Sequence, residues 1–269
     1  MRGVSATSLA QVLETVGGST ADGSQGVTVG TEVFAVVAAL DANPVLRRVL
    51  SDPATESDAK AGLVRTLFGD KIGAEALDVV TAAARGRWSA ARDLADALEQ
   101  AGVQAVLSAA ERDSSLDKVA DTLFAFSRVV IEDTELRQTL NDRSASAEGR
   151  QALVTRLLGG QVDEASLALA RQAVATREHG YEASLVAFAQ DAIAREGRLQ
   201  ARVTSAYDLD ADEKQRLAGA LARKYGREVH VDVTVDPAVI GGLSVEIAGE
   251  RIDSTIQTRL ADARRALVG

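Results

Sequence analysis

The chain has 269 residues, 46% of them hydrophobic but only 3% aromatic, so Ala, Leu and Val must fill its core, as they do between close-packed helices. A formal charge of -9 is the wrong sign for gathering a phosphate backbone, and the lack of Cys removes disulfides, thiol nucleophiles and thiolate metal sites. At this length single cores usually stop growing, so two or three compact units are expected.

From the N-terminus, the spacing predicts a short helix over 7–16, then a loop over the small polar residues 17–26. Helices are expected near 31–42, 57–68, 74–85 and 89–107, with Asn43-Pro44 and Asp52-Pro53 as breaks, because the residue before Pro avoids helical angles. Val119, Leu123, Phe126 and Val130 then recur at steps of four, three and four, one stripe of a helix starting near Ser115. A short helix follows around 135–140, and another over 146–158 that Gly159-Gly160 ends through a left-handed residue. Helices over 163–177 and 181–195 complete this stretch, the latter with Tyr181, Leu185, Phe188 and Ala192 on one face and Gly197 as its stop. Nowhere do about 18 apolar residues run together, so the chain is not expected to span a membrane by itself.

These helices repeat. Residues 34–69 lie over 124–159 without a gap: Phe34/Phe124, Leu46/Leu136, Leu50/Leu140, Asp52/Asp142, Leu63/Leu153 and Gly69/Gly159 are identical, and Lys60/Arg150 keeps its charge. An offset of 90 positions, from 34 to 124, is too long for solenoid units of about 20–50 residues, which indicates a duplicated domain.

After Gly197 the period changes. A strand is expected over 199–206, then a helix opened by the acidic run at Asp210 with Leu217, Leu221 and Tyr225 on one face. Val229, Val231, Val233 and Val235 alternate with polar residues, as do Leu243, Val245 and Ile247, which marks half-buried strands. A tight turn at 248–250 and a helix over 253–267 opened by Asp253 close a β-α-β-β-α tail. The expected fold is mainly α: two tandem helical bundles, residues 1–97 and 98–197, followed by a small α/β domain, 198–269.

Recognisable chemistry is absent. There is no phosphate-cradling glycine motif and no G-x-S-x-G elbow. His179 follows a helix end and His230 is expected to point outward from its strand, neither beside a carboxylate at ligand spacing. Acidic neighbours such as Asp212-Glu213 read as helix-end charges. No catalytic residue, metal site or cofactor is assigned, and nucleic acid is not an expected partner.

The one ordered motif lies between Asp236 and Leu260. The pair Gly241-Gly242, the step Ile252-Asp253 and the ending Arg259-Leu260, with Lys224-Tyr225-Gly226 upstream, resemble the C-terminal signature of the delta subunit of F-type ATP synthases, the bacterial counterpart of the oligomycin-sensitivity-conferring protein. Ser254 stands where that family commonly has Gly. The resemblance covers 98–269 and makes 1–97 the extra copy, as in the lengthened delta subunits of actinobacteria. It implies a non-catalytic stator subunit on the cytoplasmic face of the plasma membrane, attached only through the complex. The helical domain would grip N-terminal segments of alpha subunits and the tail would hold the end of the b-type stalk. Helix-in-groove binding would use a seam between the first and fifth helices, Val103, Val106 and Leu107 against Leu167, Ala170 and Val174, although each of these residues reads at least as well as core. The rival reading is a generic helical-repeat scaffold, which explains the duplication but not the tail motif.

Overall fold

The computed structural model describes residues 1–20, 25–176, 180–197, 199–237, 239, 242–247 and 250–253. It divides into two units, Met1–Phe188 and Ala189–Gly269.

The first unit is helical: α1 (Val4–Ser19), α2 (Gly26–Ala42), α3 (Pro44–Ser51), α4 (Ser57–Phe68), α5 (Ala74–Arg85), α6 (Ala91–Arg112), α7 (Leu116–Glu132), α8 (Thr134–Asn141), α9 (Ala147–Leu158), α10 (Glu164–Ala173) and the first half of α11 (Tyr181–Arg195). The duplication is visible in the helix starts. Gly26 and Leu116, Pro44 and Thr134, Ser57 and Ala147, Ala74 and Glu164, and Ala91 and Tyr181 are each separated by the same 90 positions. Helix α6 belongs to both copies, because it starts opposite α11 and its stretch 94–109 lies 90 positions after α1 at 4–19. At the boundary expected between bundles, 97/98, the chain is therefore continuous helix.

Local chemistry explains the helix ends. Asn43 Oδ1 accepts the Leu46 N–H at 3.2 Å and Pro44 takes the first helical position, where its missing donor costs nothing. Asn43-Pro44 therefore opens α3 as well as ending α2, a helix that reading the prolines only as breaks had missed. Ser146 Oγ accepts the Gly149 N–H at 3.1 Å and Asp163 Oδ1 accepts the Ser166 N–H at 2.8 Å, capping α9 and α10. Glycine replaces Asp163 in the first copy, and there Glu32 of α2 takes over: its Oε2 accepts the Gly73 N–H at 2.9 Å. Gly160 adopts φ 77° after α9, the expected left-handed stop. Against expectation, α1 runs on through Gly17-Gly18, held by buried Val12 and Val16 and finished by Thr20, whose hydroxyl meets Ser108 Oγ at 3.0 Å.

The core of the first copy gathers Val33, Val37, Leu40, Val64, Val79, Leu94 and Leu98, with Trp88 at its edge. Lys60 is buried with its Nζ donating to Gly86 O at 3.1 Å, just past α5, and burial holds its ammonium below the ordinary lysine range. Its counterpart Arg150 likewise donates to Leu140 O and Val174 O at 3.0 and 3.2 Å, so the conserved charge type in the repeat serves helix C-termini.

The second unit carries β1 (Leu199–Ser205), α12 (Ala211–Tyr225), β2 (Val229–Val235), β3 (Leu243–Ile247) and β4 (Glu250–Asp253) in the order β2-β1-β3-β4. β1 and β2 are parallel across the α12 crossover, while β3 is antiparallel to β1 and β4. A complete capping box opens α12: Glu213 N–H donates to Asp210 Oδ1 at 2.7 Å and Asp210 N–H to Glu213 Oε2 at 3.0 Å. Gly226, at φ 69°, closes it. Ala201, Val203, Leu221, Val233, Val245 and Ile247 form the core. Two expectations are corrected. Residues 250–253, taken as the end of a turn and a helix opening, form β4 in register with β3, since backbone pairing needs no apolar pattern. His230 is buried, because both faces of the first two residues of β2 are covered.

Candidate docking surfaces

Among the described residues no group of three or more His, Asp or Glu could hold a metal ion, and no single helix is long and apolar enough to cross a membrane. What the fold offers is surfaces. Of the seam drawn from the sequence, Val103, Val106 and Leu107 lie on α6 and Leu167 and Ala170 on α10, with Val174 just past its end, and the two helices touch. Val103, Val106, Leu107, Ala170 and Val174 are nonetheless buried in the chain itself, and Leu167 is half-buried.

The cause is α2, which touches both α6 and α10. Its approach depends on glycine. A Cβ on Gly26 would lie 2.5 Å from Ala105 O, one on Gly30 would lie 2.5 Å from Val106 Cγ2 and 2.7 Å from Gly102 O, and one on Gly102 would strike the Phe34 ring. Such contacts are possible only for backbones without side chains between them. Gln172 Nε2 donates to Glu99 Oε1 at 2.7 Å and ties α10 to α6 from the other side. Helix α6 is thus buried nearly all round, as its apolar residues on every face require.

In the first copy the seam's counterparts Val16, Val80 and Ala84 are buried as well, and the space beside them, between α1 and α5, is open. A cleft of about 610 Å³ is lined there by Thr15, Gly18 and Ser19 of α1, Arg65 of α4, and Glu75, Asp78, Thr81, Ala82 and Arg85 of α5. Arg85 reaches Asp58 at 3.0 Å. Sequence reading missed this cleft; the only signal was polar residues on faces of α1 and α5 whose counterparts in the second copy are mostly alanine.

In the second unit the motif residues fall unevenly. Gly242 adopts φ 85° ahead of β3, a conformation that favours glycine, and Asp253 ends β4 opposite Ser244. Gly241, Arg259 and Leu260, with all but the first residue of the helix expected over 253–267, lie outside the described residues. The upstream Lys224-Tyr225-Gly226 meets β4: Tyr225 OH donates to Glu250 Oε2 at 2.7 Å and Lys224 Nζ lies 3.6 Å from the same oxygen and 4.9 Å above the Tyr225 ring. The hydrogen bond from Tyr225, then the Lys224 charge, holds the Glu250 carboxyl below its ordinary range. This cluster pins the end of α12 to the sheet edge.

The described residues thus form a duplicated helical unit followed in sequence by a small mixed-sheet domain. The family of ATP synthase delta (OSCP) subunits matches residues 103–267, so the match begins inside α6 and takes in the second copy and the tail. Whole-chain relatives exist: ATP synthase subunit delta of Thermobifida fusca is 40% identical over 271 aligned residues, covering 100% of both chains. That of Streptomyces avermitilis is 45% identical over 90% of this chain and 89% of its own, and that of Acidothermus cellulolyticus 45% over 89% and 88%. The chain belongs to the delta (OSCP) family of ATP synthase subunits.

Proposed function

We propose that the chain is a non-catalytic stator subunit of an F-type ATP synthase, joining the alpha subunits of the catalytic head to the b-type peripheral stalk on the cytoplasmic face of the membrane. The observation that carries this reading is likeness over the whole length, both helical copies included, to chains named ATP synthase subunit delta. The helical unit clasps N-terminal segments of alpha subunits, and the α/β tail holds the end of the stalk. Two modest contacts on one chain raise avidity without any tight site, as a link under torque needs. A tagged chain recovered from detergent-solubilised membranes should bring alpha and b-type subunits with it and be shed from washed membranes at low ionic strength with the head. Recovery of the chain alone, or with soluble proteins unrelated to the synthase, would favour the generic scaffold and reject the stator.

A further inference from the structure

We draw no further inference here: the strongest candidate, the exposed stripe of small side chains Thr28, Thr31, Ala35, Ala38 and Ala42 along α2 with the exposed Val45 and Val49 of α3 following it, carries nothing because no feature of the structure shows what covers it.

Discussion

Replacing Gly30 by Ala should destabilise the helical unit, although the same change at Gly62 should stabilise it. Both glycines lie inside helices, where Ala is favoured by about 1 kcal/mol. At Gly62 on α4 the added methyl meets nothing within 4 Å, so the gain is realised and Tm rises by about 2–4 °C. At Gly30 the methyl would sit 2.5 Å from Val106 Cγ2 and 2.7 Å from Gly102 O. The valine can rotate, but the carbonyl is fixed in α6, so α2 has to lift from it. Overpacking of this kind costs about 1–3 kcal/mol; with a backbone atom involved the upper part of that range applies, and the propensity gain leaves a net loss of about 1–2 kcal/mol. Melting followed by circular dichroism should then show Tm lower by about 2–8 °C for Gly30→Ala. An equal rise for both variants would refute the close α2–α6 packing, and with it the account of why the seam on the second copy is covered.

Tyr181 donates to Ala170 O at 3.1 Å and stands edge-on to Phe126, and burial pushes its phenol well above the ordinary tyrosine range. A raised folded-state value makes this contribution complete below the unfolded value of about 10 and progressively lost as pH rises above it; Tyr181→Phe should flatten the alkaline limb of a stability–pH curve, and an unchanged slope would count against the buried site. Desolvation raises the Asp191 carboxyl on α11, so its stabilising contribution exists below the unfolded value of about 3.9 and is lost as pH climbs through the folded one. Asp191→Asn should therefore raise Tm at neutral pH and not at acid pH. Cutting the gene after residue 97 removes Gly102, Ala105 and Val106, against which α2 packs; fragment 1–112 should melt cooperatively and fragment 1–97 should not, as calorimetry would show.

Where packing and backbone propensity act together, the sequence was legible. Helices over 57–68, 74–85 and 181–195 have the bounds their apolar spacing indicates, and the acidic run at Asp210 does form the box that opens α12. The tail motif pointed to the family before any geometry. The misses share one origin, which is that long-range contacts are invisible to local pattern. Gly17-Gly18 and Gly26 read as loop because glycine is a poor helix former, yet their helices are held by burial of Val12, Val16, Val29 and Val33. Strand β4 has one apolar residue to announce it and exists through its register with β3. Five of the seam residues lie on α6 and α10, and Val174 falls just past the end of α10. Nothing in their spacing could say that α2 lies over them, because that follows from three glycines on two helices far apart in sequence.

The shared helix bears on how such a chain could carry load. Two bundles joined by a linker would move independently, since an interface between domains is small and wet. Here α6 is the last helix of one copy and the first of the next, and its buried residues run from Leu94 to Ala110 without a stretch left to solvent. Bending it at the middle would separate Gly102 from Phe34 and Ala105 from Gly26, so any hinge between copies would have to break close-packed contacts that interiors do not deform gradually. The same packing buries Val103, Val106, Leu107, Ala170 and Val174 within the chain itself.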